Sequence, residues 1–221
     1  MSLNLIIFDL DGTLIDSRID ITNALNYALE PYGLGPLSVD ETVGLVGEGI
    51  TRLIEKVLGG RDGSLKSAVM ERFLDHYSRH ILDFTTIYPG VRETLEQLNA
   101  YKKAVISNKR ESLSRMALDG LGLSGFFDII VGSDTVPERK PSPLPVLKVL
   151  SELCVRPEDA VIVGDSSYDI DAGKAAGILT VAVTYGYRPR EVIQHADYLI
   201  DSMSDLVPLL ERINEARNEK A

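Results

Sequence analysis

Apolar residues are grouped along the chain in short, dense runs rather than in alternation: Leu5 to Phe8, Ala104 to Ile106, Ile129 to Val131, Val161 to Val163 and Val181 to Val183, each rich in Val or Ile. A run apolar at every position has both faces covered, which predicts strands of a buried parallel sheet. Between the later runs lie helix-length segments with a period near 3.6: Val91 to Ala100, Glu111 to Leu118, Leu144 to Leu153 and Ile170 to Ala176. Gly120 and Gly177 stand where helix C-caps belong. Strand and helix in alternation imply an open α/β sheet with helices on both faces and a ligand site at the carboxyl ends of the strands.

The alternation breaks after the first run. From Asp16 to Thr85 the periodicity is helical throughout, with a capping-box signature at Ser38 and Glu41, a helix stop at Gly59 and Gly60, and Leu65, Val69, Phe73 and Tyr77 repeating every four residues. The predicted organisation is therefore a Rossmann-like core of residues 1–15 and 85–221 with an all-helical cap of residues 16–84 inserted after the first strand. A lobe inserted there overhangs the site edge and can serve as a lid.

At 221 residues, 44% apolar and 25% charged, the chain can bury one good core and a small second lobe. The first run is too short to span a bilayer, so no membrane anchor is expected. A single cysteine, Cys154, lies in a helical pattern with Val149, Leu150 and Leu153, which reads as core filler in a reducing cytoplasm. The net charge of −10 predicts repulsion of nucleic acid and anionic membranes, so an anionic substrate would need a local positive site.

Residues suited to such a site stand where the strands end. Asp9, Asp11, Gly12 and Thr13 follow the first run; Ser107, Asn108 and Lys109 follow the second; Lys140 and Pro141 come after the third; Asp165 and Asp169 follow the fourth. Each group alone is as compatible with a solvated turn, a surface charge or a helix N-terminus as with a ligand site. Their convergence on one sheet edge favours function. Clustered carboxylates repel unless a cation sits among them, and oxygen-only ligands suit Mg2+, whereas zinc would want Cys or His. Lys140 and the metal would together supply the positive site for a phosphate.

In order and spacing these groups resemble the four motifs of the haloacid dehalogenase-like hydrolases, and the resemblance covers nearly the whole chain. Asp16, Ser17, Arg18, Asp20 and Ile21, the segment Gly44 to Gly49, and Ala172 to Gly177 are similar to the phosphoglycolate phosphatase-like members with a helical cap. Those members more often carry Thr at the position of Ser107, and the hydroxyl is retained. The resemblance implies Asp9 as nucleophile through an aspartyl-phosphate and Asp11 as general acid and then base. It implies Mg2+ held by Asp9, the Asp11 carbonyl and Asp165, with Asp169 as a direct or supporting partner. Ser107, Asn108 and Lys140 would bind phosphoryl oxygens, and Thr13 would orient the first loop. The implied substrate is a small phosphate monoester, 2-phosphoglycolate, hydrolysed by a monomer or homodimer.

Other readings stay open at this point. A pyrophosphatase or a sugar-phosphate phosphatase or mutase would share every core residue, and a regulatory module without catalysis would be expected to have lost some of them. A dehalogenase would lack Asp11, and a phosphonate-cleaving relative would need a cap lysine that neither Lys56 nor Lys66 supplies in a recognisable motif. Arg52 is either a contact for a carboxylated substrate or a solvated helix residue, and Arg18 is similarly ambiguous. His76 and His80, one turn apart, lack a third ligand and read as a solvated helix face.

Overall fold

The computed structural model describes residues 2–60 and 63–219. Its strands are β1 (Leu5–Phe8), β2 (Ile15–Asp16), β3 (Thr86–Ile87), β4 (Lys102–Ile106), β5 (Ile129–Val131), β6 (Ala160–Gly164), β7 (Leu179–Val183) and β8 (Tyr198–Ile200). The helices are α1 (Arg18–Leu29), α2 (Val39–Leu45), α3 (Ile50–Leu58), α4 (Gly63–Arg79), α5 (Val91–Gln97), α6 (Glu111–Gly120), α7 (Leu144–Glu152), α8 (Ser167–Ala175), α9 (Arg190–Ile193) and α10 (Leu206–Asn218). Six strands form one parallel sheet in the order β5-β4-β1-β6-β7-β8, so the α/β architecture is as expected. β1 lies in the middle, paired with β4 on one side and β6 on the other.

Alternate residues of β1 feed opposite layers. Ile6 and Phe8 pack with Val91 and Leu95 of α5, Ala117 of α6 and Leu206 and Leu210 of α10, whereas Leu5 and Ile7 pack with Val146 and Val149 of α7 and Ala172 of α8. All four β1 side chains are fully buried, each contributing about 1.5–3 kcal/mol through removal of apolar surface from water.

Between β2 and β3 the described residues contain helices and no strand. The two crossings pair antiparallel, Ile15 with Ile87 and Asp16 with Thr86. The buried Asp20 carboxylate steadies the return crossing by accepting hydrogen bonds from the Thr85 N–H at 2.8 Å and the Thr85 hydroxyl at 2.7 Å. The four-residue stripe on α4 buries Val69, Phe73 and Tyr77, and the capping box of Ser38 and Glu41 starts α2.

Several local expectations are corrected. Gly120 lies inside α6, and the left-handed residue that follows the helix is Gly122, at φ 64°. α5 stops at Gln97 instead of reaching Ala100, and α8 starts at Ser167, three residues early, because Ser166 and Asp169 form a capping box. Cys154 is exposed in the turn after α7 at φ 52°, so it fills no core. Among the described residues no helix is long and apolar enough to cross a membrane.

Candidate functional site

The sheet order changes direction on either side of β1, which opens a crevice at the carboxyl edge where the loops after β1, β4 and β6 meet. Asp9 enters it directly from β1, its N–H donating to the Val163 carbonyl at 2.9 Å. The chain then turns back on itself: the N–H groups of Thr13, Leu14 and Ile15 all point to the Leu10 carbonyl. Gly12 makes the turn possible at φ 87°, and a Cβ there would stand 2.4 Å from Asp165 Oδ2. Gly12→Ala combines a disfavoured backbone with that collision, and is expected to lower the unfolding free energy by at least about 2 kcal/mol. Urea denaturation checks this, and a midpoint equal to that of the wild type would refute the close approach.

Three carboxylates, Asp9, Asp165 and Asp169, gather with one oxygen of each within 4.8 Å of the others. The Lys140 ammonium, 2% exposed, lies 2.8 Å from Asp9 Oδ1 and 2.5 Å from Asp169 Oδ1, and donates to the Ile106 carbonyl at 2.7 Å. Asp169 Oδ2 accepts from the Ser166 hydroxyl and N–H at 2.6 and 3.1 Å, and Asp165 Oδ2 from the Tyr187 N–H at 2.7 Å. Burial first, then the charge of Asp169, pushes the Asp9 carboxyl well above the ordinary carboxylate range, against the pull of Lys140. Burial and Asp169 likewise push Asp165 up to about 7. Burial works against the charge of Lys140, but Asp169 and Asp9 hold its pKa above the ordinary lysine value. Three buried acids facing one ammonium, with oxygen donors only, fit a hard divalent cation.

The Asp11 carboxylate is not one of the three. Its Oδ1 accepts from the Ser17 hydroxyl and from the Lys109 ammonium, each at 2.5 Å. Asp11, Ser107, Asn108, Lys109 and Leu113 of α6 line a chamber between the sheet edge and the helical segment, closed on the far side by Ile21, Leu53, Phe73 and Tyr77. Of the cations on its wall, Arg110 is exposed, Arg188 donates to the carbonyls of Val43, Gly44 and Val46, and Lys109 is buried. The Lys109 ammonium sits 5.2 Å from the centroid of the Tyr77 ring. Burial opposes its charge, yet the Asp11 carboxylate leaves its pKa above the ordinary lysine value.

Ser107 is buried and its hydroxyl oxygen accepts from the Lys109 N–H at 3.1 Å, so its proton is free to be donated. The Asn108 side-chain N–H groups are committed to the carbonyls of Gly47 at 2.7 Å and Lys140 at 3.0 Å. Asn108 thus ties the segment before α3 to the loop carrying Lys140. Thr13 is buried within the turn, and its carbonyl accepts from the Tyr185 hydroxyl at 2.8 Å. Arg52 is the outlier. It lies exposed on α3, donates to Glu55 at 2.7 Å, and lines a separate outer cleft with Glu48, Arg139 and Tyr168.

His76, on α4, stacks on Tyr27 at 4.2 Å and on His80, just past the helix end, at 4.3 Å, and neither histidine belongs to a group able to hold a metal among the described residues. Arg18 pairs with Asp16 at 2.7 Å beside the crossings.

Periodicity placed Tyr77 on a buried face, but it carries no information on whether that face meets a packed core or a chamber. Lys109 could be noted from sequence only as a cation behind Ser107. Tyr187 gave no signal at all, although its N–H holds Asp165 and its hydroxyl accepts from the Ser17 N–H at 2.9 Å.

A family model for haloacid dehalogenase-like hydrolases matches residues 6–183. The chain is 44% identical to the phosphoglycolate phosphatase of Aquifex aeolicus over 211 residues, covering 95% of this chain and 97% of that protein. It is 40% identical to the phosphoglycolate phosphatase of Chromobacterium violaceum, covering 92% and 94%. Among solved structures, a predicted phosphoglycolate phosphatase from Haemophilus somnus superposes with a TM-score of 0.90 at 29% identity, covering 95% of this chain and 98% of the other.

Proposed function

From the membership of this chain in the haloacid dehalogenase-like hydrolases, we propose that it hydrolyses 2-phosphoglycolate to glycolate and inorganic phosphate through a phosphoryl group carried on Asp9. The observation that carries this reading is the meeting of Asp9, Asp165 and Asp169 around Lys140 at the carboxyl edge of the sheet, with Asp165 also lining the chamber. In it, Asp9 attacks phosphorus in line with the departing ester oxygen. Asp11 uses Oδ2 to give that oxygen a proton and then takes one from the water that cleaves the acyl phosphate, because Oδ1 is held by Ser17 and Lys109. The Ser107 hydroxyl donates to a phosphoryl oxygen, and the Lys140 ammonium offsets its charge. Asn108 contributes by holding Gly47 and Lys140 in place, and Thr13 by shaping the turn after Asp9.

Mg2+ would be held by the carboxylates of Asp9 and Asp165 and the Asp11 carbonyl, with Asp169 in support. When bound it would supply charge neutralisation for the phosphoryl group and its attacking oxygen. Residues 16–84 would act as the cap, excluding water from the chamber while the core of residues 1–15 and 85–221 performs the chemistry.

Phosphate release from a panel of esters, with Mg2+ or with EDTA, tests the reading. The expected order places 2-phosphoglycolate above pyrophosphate and the hexose phosphates, with activity lost in EDTA. A strong preference for pyrophosphate or a hexose phosphate would overturn the substrate and leave the hydrolase.

The acids also set a pH dependence. A carboxyl whose folded pKa lies above its unfolded value stabilises the fold at low pH, and that stability is lost as pH rises through the folded pKa. For Asp165 the window runs from about 4 to about 7. The metal-free protein should lose thermal stability across it, and the rise in Tm on adding Mg2+ should be larger at pH 8 than at pH 5. Thermal melts at both pH values decide this; an equal rise would remove the acids as metal ligands.

A further inference from the structure

Lys109, which holds Asp11 Oδ1, and Tyr77, which touches none of the residues assigned to the phosphoryl group, form a second polar spot in the chamber. The walls near it are the apolar side chains of Ile21, Leu53, Phe73 and Leu113. The Lys109 side chain is 7% exposed, and its ammonium meets one carboxylate, that of Asp11, at 2.5 Å. Tyr77, reaching in from α4, is 1% exposed, and among the described residues its buried hydroxyl has no partner at ordinary hydrogen-bond geometry, Lys109 being a charged neighbour. A buried hydroxyl left unpaired is costly and uncommon in a folded protein. Here it lies on a chamber wall beside a buried ammonium, which is the pair of donors an incoming anion requires.

We infer that Lys109 and Tyr77 form the subsite that reads the carboxylate of the substrate, and that this subsite sets the preference for small phosphorylated acids. The inference rests on the proposed hydrolase reading, since it takes the place of the leaving oxygen from Asp11. An atom held at Asp11 has the Lys109 ammonium within one further hydrogen-bond length. In 2-phosphoglycolate one methylene separates the ester oxygen from the carboxylate, so a molecule of that length spans the two positions. The Lys109 ammonium and the Tyr77 hydroxyl both donate to the carboxylate oxygens, and the methylene faces apolar wall. Arg52, committed to Glu55 at an outer cleft, is not needed for this recognition.

Tyr77→Phe is the cleanest probe because the hydroxyl it removes makes no well-formed hydrogen bond among the described residues of the free protein. Kinetics with 2-phosphoglycolate and with ethyl phosphate, which keeps the length but lacks the carboxylate, should separate the roles. The wild type should favour 2-phosphoglycolate by about 1,000-fold in kcat/KM. In Tyr77→Phe, KM for 2-phosphoglycolate should rise about 10- to 100-fold with kcat little changed, while both constants for ethyl phosphate stay at wild-type values. An unchanged KM, or an equal loss on both esters, would overturn the subsite.

Glycolate as a competitive inhibitor of ethyl phosphate turnover provides a second arm, independent of which ester is the best substrate. Its Ki should rise in Tyr77→Phe by a similar factor. A wild type inhibited by glycolate but without preference for 2-phosphoglycolate would retain the subsite and refute the substrate; a wild type that glycolate does not inhibit would refute the subsite itself.

Discussion

Asp9→Asn is expected to lower kcat by about 100,000-fold with the fold intact, because asparagine keeps the shape of the nucleophile but replaces its anionic carboxylate with a neutral, weakly nucleophilic amide. The stability of the variant provides an internal control. Asp9 is an acid whose ionised form is opposed by burial and by Asp169 and Asp165, so replacing it with a neutral isostere relieves repulsion. Lys140 keeps Asp169 as its counter-charge at 2.5 Å. The metal-free variant should therefore melt at or above the wild-type temperature while being inactive, and the increment added by Mg2+ should shrink. Steady-state phosphate release together with thermal melts gives both readouts. Activity within 100-fold of the wild type would show that the nucleophile lies elsewhere.

Lys140→Ala should damage both stability and rate. Among the described residues the buried Lys140 ammonium is the cation paired with Asp9 and Asp169, and its removal leaves those largely buried carboxylates without that partner. Truncating one side of such a buried pair costs about 3–5 kcal/mol. The loss of a positioned charge at the phosphoryl group should lower kcat/KM by about 1,000-fold. The stability loss has a signature that simple cavity formation lacks. It should shrink when the pH is lowered from 8 to 5, since protonated acids no longer repel, and it should shrink again when Mg2+ is added at pH 8. Urea midpoints under the three conditions test this, and a deficit that ignores both pH and metal would mean that Lys140 acts only by filling space.

What could be read in advance follows from where each residue makes its contacts. The inner strands announce themselves because a parallel strand is covered on both faces, and Leu5 to Phe8 is apolar at every position. β8 escaped notice because Tyr198, Leu199 and Ile200 form an edge strand with Tyr198 exposed, so its pattern is mixed. β2 and β3 are only two residues each and exist through their pairing with one another, which no local window contains. Asp9, Asp11, Ser107, Lys140, Asp165 and Asp169 were legible because each follows a strand at the same sheet edge. Lys109, Tyr77 and Tyr187 were not, because their roles depend on contacts between segments far apart in the chain: Lys109 with Asp11, Tyr77 with the chamber, Tyr187 with Asp165 and Ser17.

The polar contacts that close the α2–α3 connection onto the core are made largely by backbone groups on its side, with the Glu48 carboxylate meeting Tyr168 as a side-chain exception. Asn108 reaches the Gly47 carbonyl, Arg188 reaches the carbonyls of Val43, Gly44 and Val46, and Gly49 comes so near that a Cβ would stand 2.7 Å from the Asn108 carbonyl oxygen. A seam stitched from peptide groups is indifferent to most side chains that border it. Val43, which packs on no core cluster, is thus open to exchange in directed evolution without loosening the closure, and Val46 and Ile50 to exchange among apolar side chains that keep their packing on the core, provided Gly47 and Gly49 are kept. New selectivity should be easier to install from that stretch than from the loops after β1 and β6, where Asp9, Asp11 and Asp165 are already engaged by Lys140, Lys109 and Tyr187.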